Sequence, residues 1–442
     1  MSTPSPAPSP AAATPLATDA ADDVQRARRA VEAIWRIESG RLVAGLARVT
    51  GDVGVAEDLA QEALVVALEQ WPTHGVPPNP AGWLMTTAKR RAIDAHRRDA
   101  TFARKAQVLG NELAHEPPVD SEERVDALDD HVGDDLLRLV FTSCHPVLSL
   151  ESRVALTLRC LGGLSTDEIA RAFLVPEATA AQRIVRAKKT LSDKGVAFEL
   201  PGPDELSERL ASVLEVVYLV FNEGYSATSG EDWTRPALCQ EAMRLGRVLA
   251  GLVPGEPEVH GLVALMELQA SRLPARVNAR GEPVLLPDQD RRRWDRLLIR
   301  RGLEALSRAE GLGKPLGPYA VQAGIAACHA RAQRPEDTDW TRIAALYEVL
   351  VRIWPSPVVE LNRAVAVGFS QGPEAGLAIA DRVAAAGRLG TYPQLHTVRG
   401  DLLARAGRHA EAADAFDKAA ALTRNERERA LFASRAGVER SA

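Results

Sequence analysis

The chain has 442 residues, 46% hydrophobic and 26% charged, with a formal net charge of −5. That is roughly three times a single-domain length of about 150 residues, so two or more domains with real cores are expected. No run of about 18 apolar residues exists, and residues 1–22 hold no basic segment followed by an apolar one, so neither a transmembrane helix nor a secretory leader is expected. The expectation is therefore a cytoplasmic protein with no membrane partner.

Cys144, Cys160, Cys239 and Cys328 are widely spaced with no CxxC pair, which predicts buried free thiols rather than disulfides or a thiolate zinc site. Neither a metal nor a cofactor is expected. Aromatics are 5% of the chain and sustained β-branched alternation is scarce, so the predicted fold class is all-α.

In chain order, residues 1–23 are rich in Pro, Ala, Ser and Thr and are expected to form a disordered tail. Helical periodicity over 24–103, broken at Gly51–Gly54 and Pro72–Pro80, predicts a small bundle. Residues 104–133 are expected to be an acidic linker: Asn111 to Asp135 carries ten Asp or Glu against one Arg, with Pro117-Pro118 in the middle. A second helical unit is predicted over 134–196, and Leu200-Pro201-Gly202-Pro203 then opens a large helical part spanning 204–440.

Local charge is strongly asymmetric. Gly51–Gln70 holds Asp52, Glu57, Asp58, Glu62 and Glu69 and no Lys or Arg. At 100° per residue Asp58, Gln61, Glu62 and Glu69 share one face beside an apolar face of Leu59, Ala63, Val66 and Ala67. Such a face is either plain solvated surface or a dock for a basic partner. The next helix, Ala81 to Arg98, reverses the sign with Lys89, Arg90, Arg91, Arg97 and Arg98, and it carries Trp83, Thr86 and Thr87 near its start. An aromatic beside hydroxyls and arginines suits single-stranded nucleic acid, since bases stack on the ring while cations hold phosphates.

Leu164 to Leu191 reads as a helix-turn-helix. Ser165 and Glu168 fit a capping box, and Pro176 fits the first position of a second helix. On that second helix Thr179, Gln182, Arg183, Arg186 and Lys189 share a polar face opposite Ala181, Ile184 and Leu191. The polar groups are of the kind that reach base edges and phosphates in a major groove. The alternative is an ordinary helical hairpin with a basic surface.

These motifs, in this order, resemble the extracytoplasmic-function (group IV) RNA polymerase sigma factors. Val55-Ala56-Glu57-Asp58-Leu59-Ala60-Gln61-Glu62-Ala63 looks like region 2.2, Gly82-Trp83-Leu84 through Arg98 like regions 2.3 and 2.4, and Leu164–Leu191 like region 4.2. The resemblance covers residues 24 to 195. It implies a sigma subunit rather than an enzyme, with core RNA polymerase (β′ clamp helices and β subunit) and promoter DNA as partners. Asp58, Gln61 and Glu62 would contact the clamp helices. Trp83, Lys89, Arg90, Arg91, Arg97 and Arg98 would hold the −10 element, and Thr179, Gln182, Arg183, Arg186 and Lys189 the −35 element. The acidic linker would lie in the RNA-exit path. Many family members carry Asn where this chain has Arg90, so no −10 base preference is carried over. The turn at Phe173-Leu174-Val175 lacks the glycine often found there, which predicts a slightly different turn in an intact hairpin.

Residues from 204 onward exceed the usual length of that family. Gly400, Gly407, Ala412, Phe416 and Ala419 match the small and large positions of a tetratricopeptide (TPR) repeat, and Tyr347, Leu350 and Pro355 fit a more degenerate unit, so stacked hairpins are expected over 338–440. With the blocks Val216–Tyr225, Arg292–Gly302 and Pro355–Ala364, the segment resembles the extension of a sigma subgroup in which it modulates activity. A regulatory protein or ligand is expected there. Asn222, Glu223, Tyr225, Arg292, Trp294 and Asp295 form a polar set, read first as structural hydrogen bonding and second as a ligand pocket. His145, His396 and His409 are expected to pack or cap. Two other readings remain: a conventional helix-turn-helix regulator with a repeat sensor, and a ligand-binding or enzymatic extension fused to a sigma module.

Overall fold

The structure, a computed structural model, describes residues 16–93, 132–226 and 234–442. Among these residues the chain is all-α, with one isolated bridge between Val277 and Pro283 outside the helices. Residues 1–15 and the acidic linker up to residue 131 lie outside the described residues, and the last two linker residues, 132 and 133, open a helix. Helix α1 (Leu16–Thr50) begins inside the stretch expected as a tail. An Ala- and Asp-rich run suits a helix start, because Ala costs little entropy and acids complement the N-terminal dipole. Helix α2 (Val53–His74) follows, then α3 over 80–93, and further on α4 (Val132–Ser143), α5 (Leu150–Cys160), α6 (Thr166–Phe173) and α7 (Glu177–Asp193).

The remaining helices are α8 (Pro203–Tyr225), α9 (Pro236–Leu252), α10 (Pro257–Ala270), α11 (Arg296–Gly311), α12 (Pro318–Arg331), α13 (Trp340–Ile353), α14 (Pro357–Ser370), α15 (Pro373–Ala385), α16 (Pro393–Arg405), α17 (His409–Leu422) and α18 (Glu426–Ser441). Most open on a proline, whose missing N–H is one a helix start leaves unpaired in any case. Others open on a polar cap: Asp339 accepts from Arg342 N at 2.9 Å at the start of α13, and Asn425 from Arg427 N at 3.0 Å at the start of α18.

The chain divides into two compact units that cut across the expected domains. One comprises Met1–Ser143, Leu156–Leu164 and Arg186–Leu200; the other comprises Cys144–Ala155, Ser165–Val185 and Pro201–Ala442. In the first unit α1 and α2 pack together, burying Trp35, Leu46, Ala60 and Ala63 among others. Gly51 (φ +71°) makes the reversal between them, and Asp52 caps α2 by accepting from Gly54 N at 2.6 Å and Val55 N at 3.0 Å. A side chain at Gly163 (φ +64°) would strike Ser39 Oγ at 2.6 Å, so only glycine serves there.

In the second unit the helices from α13 onward pack each against the next. A Cβ at Gly400 would meet the Phe416 ring at 2.7 Å, and one at Gly376 would meet Ala364 O at 2.6 Å. The small and large positions that the sequence marks are thus where α16 meets α17. The four cysteines are buried thiols.

The polar set around Glu223 and Trp294 serves structure. Glu223 pairs with Arg235 at 2.5 Å, Arg276 lies 3.7 Å above the Tyr225 ring, and Asp295 caps α11 through Leu297 N at 2.9 Å and Leu298 N at 3.1 Å. Arg292 does not join the set: its side chain is 89% exposed and pairs with Asp290. The histidines bond locally, His145 Nδ1 with Val147 N (3.1 Å), His396 Nε2 with Gly390 O (3.3 Å) and His409 Nδ1 with Glu439 (2.8 Å). Among the described residues no helix is long and apolar enough to cross a membrane.

Candidate nucleic-acid interface

Helix α2 places three carboxylates in three different settings. Glu57 is turned inward, its side chain 3% exposed; it accepts from Arg159 Nε at 2.7 Å and from Lys188 Nζ. Asp58 faces outward at 70% exposure, yet one of its oxygens is held by the same Lys188 at 2.7 Å. Glu62, half exposed, accepts from Arg91 at 2.7 Å. Gln61 lies between them, with its Nε2 buried and unpartnered. The sequence-predicted trio Asp58, Gln61 and Glu62 therefore shares one face.

Lys188, which helical spacing does not mark, bridges Glu57 and Asp58. Burial alone would lower its pKa, but the two carboxylates outweigh that effect and the net shift is upward. Lys188 stays charged. Beneath the pair, burial and then Glu57 push the Cys160 thiol up, so this cysteine is inert.

Helix α3 opens at Asn79-Pro80, where Asn79 Oδ1 accepts from Gly82 N at 3.0 Å. That start directs Trp83 edge-on against buried Trp71, with ring centroids 5.5 Å apart at 68°. Trp83 remains half-buried, Thr86 and Arg90 are exposed, and Lys89 and Arg91 are half-buried. The ion pair between Arg91 and Glu62 ties the basic helix to the acidic face. Arg97 and Arg98 lie outside the described residues.

The capping box of α6 is present as the sequence predicts. Ser165 Oγ accepts from Glu168 N at 3.1 Å, and Glu168 Oε2 accepts from Ser165 N at 2.8 Å. At the glycine-lacking turn Leu174 takes a left-handed conformation (φ +49°, ψ 44°), and the chain still closes through Val175 N to Ala170 O at 3.1 Å. A left-handed leucine costs roughly 1 kcal/mol. Because its side chain is largely exposed, Leu174→Gly is expected to raise stability by up to about 1 kcal/mol, read as a shift in the urea midpoint. A lower midpoint would show that the leucine's packing outweighs its backbone strain.

Pro176 sits one residue earlier than expected. Helix α7 starts at Glu177, and Pro176 O caps it by accepting from Thr179 N at 2.9 Å and Ala180 N at 3.2 Å. The buried stripe of α7 is Ala180, Ile184, Ala187 and Leu191; Ala181, expected on it, is only half-buried because the stripe is rotated by one residue. Gln182, Arg186 and Lys189 are exposed, and Thr179 and Arg183 are half-buried. Val185, 62% exposed among them, is an apolar member of this face that charge-based reading misses. It offers the apolar surface that suits a thymine methyl.

Within the second unit, α8 and Arg235 reach its segments Cys144–Ala155 and Ser165–Val185. Ser212 on α8 donates to Cys144 O at 2.6 Å and accepts from Arg153 at 2.6 Å, while Arg153 also reaches Glu215 at 3.0 Å. Arg235, paired with Glu223, donates to Ala172 O at the carbonyl end of α6. A cation at that end complements the helix dipole and satisfies an orphan carbonyl.

The chain matches three protein families: Sigma-70 region 2 over residues 37–101, Sigma-70, region 4 over 138–191, and a family of unknown function (DUF6596) over 209–310. An uncharacterized protein, R00370, of Rhizobium meliloti is 46% identical over 388 residues, which is 88% of this chain and 90% of that protein. The ECF RNA polymerase sigma factor SigL of Mycobacterium tuberculosis is 34% identical over 154 residues, 34% of this chain and 81% of its own. The probable ECF RNA polymerase sigma factor SigI of the same organism is 29% identical over 167 residues, 38% of this chain and 56% of its own.

Proposed function

We propose that this chain, which belongs to the extracytoplasmic-function RNA polymerase sigma factors, docks on the polymerase clamp through α2 and reads a two-part promoter through α3 and α7. As a sigma factor it is an initiation factor rather than an enzyme, and it associates with core RNA polymerase and promoter DNA to direct promoter-specific transcription. The observation that carries the finer reading is the α7 face. Gln182, Val185, Arg186 and Lys189 stand exposed on one side of a helix whose opposite stripe is buried. Such a helix can enter a major groove without unpacking.

Asp58, Gln61 and Glu62 offer the clamp helices a negative face. Because Lys188 holds Asp58 and Arg91 holds Glu62, a basic partner docks there by exchanging ion pairs rather than by meeting bare carboxylates. Trp83, held by Trp71, supplies a ring for an unstacked −10 base, with Lys89, Arg90 and Arg91 along the same helix for phosphates. Arg97 and Arg98 extend that basic run in the sequence. The part from residue 204 onward, with its TPR-like spacing, modulates activity by holding the reading hairpin at Ala172 and the segment before it at Cys144.

The test is transcription in vitro with core polymerase, paired with co-purification. Asp58→Arg with Glu62→Arg is expected to abolish both holoenzyme assembly and promoter-dependent initiation, by placing cations against a basic coiled coil. Normal co-purification of that variant would remove the docking face from the reading.

A further inference from the structure

In the second unit a cavity of about 820 Å³ opens among α12, α13, α14, α16 and α18. One wall is an aromatic stack: Trp340 and Phe369 lie 4.1 Å apart and within 10° of parallel, and the Arg405 guanidinium sits 3.7 Å from the Phe369 ring centre. Phe369 is 37% exposed, an apolar surface left open inside a recess. The other walls carry polar groups whose partners are incomplete. Arg435 pairs with Asp401 and lies 4.1 Å over Phe416, but its Nη1 is buried without a partner. His329 is 8% exposed and its Nδ1 is buried and unpartnered. Arg291 is 6% exposed; it donates to His329 O and Ala332 O, both at 2.7 Å, while its Nε has no acceptor.

The unmet groups are mostly donors. Arginine offers N–H groups and no acceptor, so a lining that holds Arg291, Arg405 and Arg435 calls for oxygens. Arg405 makes no ion pair among the described residues; of the three acids on the same lining, Asp288, Glu336 and Asp401, Asp401 pairs with Arg435 and Glu336 with Arg334. Burial and the two neighbouring arginines, Arg272 and Arg291, push the His329 pKa down to about 3, which keeps the imidazole neutral beside the cations.

We propose that this cavity is a binding site for a small aromatic carboxylic acid, with its ring along the open edge of the Trp340–Phe369 stack and the carboxylate at Arg405 and Arg435. The volume suits a one- or two-ring compound. The lining shares no residue with the DNA-reading and docking faces, and its occupancy is measured without polymerase or promoter. Failure here is therefore distinct from failure of the sigma reading.

The probe is 2-naphthoate, titrated calorimetrically into the full chain, with the neutral 2-naphthylmethanol as comparison. Saturable one-to-one binding of the acid is expected, at least about tenfold tighter than the alcohol. Arg405→Ala, at an exposed side chain, is expected to erase that difference, and Phe369→Ala to weaken acid and alcohol alike. Circular dichroism checks that both variants fold. Equal binding of acid and alcohol, an Arg405→Ala variant that keeps the preference, or no saturable binding of the acid would each overturn the proposal.

Discussion

Glu57→Ala is expected to destabilise the first compact unit by about 3–5 kcal/mol, the cost typical of removing one partner from a buried ion pair. The side chain is 3% exposed and serves two cations, so its loss strands Arg159 with only the Leu164 carbonyl at 3.3 Å and leaves Lys188 with Asp58 alone. Both cations are more than four-fifths buried, and water replaces the lost carboxylate poorly. Urea denaturation followed by circular dichroism reads the change. Glu57→Gln keeps an acceptor of the same shape while removing the charge, and it should fall between the alanine variant and the parent. A loss below about 1 kcal/mol for Glu57→Ala would mean that the triad is as weak as a surface pair.

Arg183→Ala with Arg186→Ala is expected to weaken binding to a −35 duplex by about 1–3 kcal/mol for each of the two arginines that reads a base edge. Where an arginine holds a phosphate instead, its removal lowers the salt slope by about one. Arg186 is exposed and Arg183 half-buried on a helix whose stability rests on Ala180, Ile184, Ala187 and Leu191, so the double variant should keep its fold. Binding isotherms at several salt concentrations separate the two roles. Unchanged affinity together with unchanged promoter-dependent transcription would contradict the assignment of α7 as the reading helix.

What the sequence makes legible here is mainly local. The capping box at Ser165 and Glu168 spans three residues, and its chemistry is written in the spacing. The tight approach at Gly400 is likewise visible, because a small residue with Phe416 sixteen positions on marks paired helices. Lys188 is the opposite case. It looks like one more cation on a basic helix, and only the fold brings it to carboxylates some 130 positions earlier. Glu57 is one of five acids in Gly51–Gln70 and lies off the predicted acidic face, but nothing in the spacing says that it turns inward onto two cations while Asp58 goes out. The rotation of the α7 stripe from Ala181 to Ala180 has the same origin: periodicity fixes that a helix has two faces, while packing decides where the boundary falls. The bond from Arg235 to Ala172 cannot be assigned from spacing, since that acceptor is a backbone carbonyl and leaves no mark on residue type.

The bond from Arg235 to the Ala172 carbonyl, with that from Ser212 to the Cys144 carbonyl, bears on how such proteins can be recombined. A chimera that exchanges residues 134–196 for the matching segment of a shorter relative would replace Arg153, and Ser212 and Glu215 would face a surface that did not evolve against them. On the proposed role of α7, promoter specificity is better transplanted residue by residue, at Gln182, Val185, Arg186 and Lys189, leaving the seams at Cys144 and Ala172 uncut.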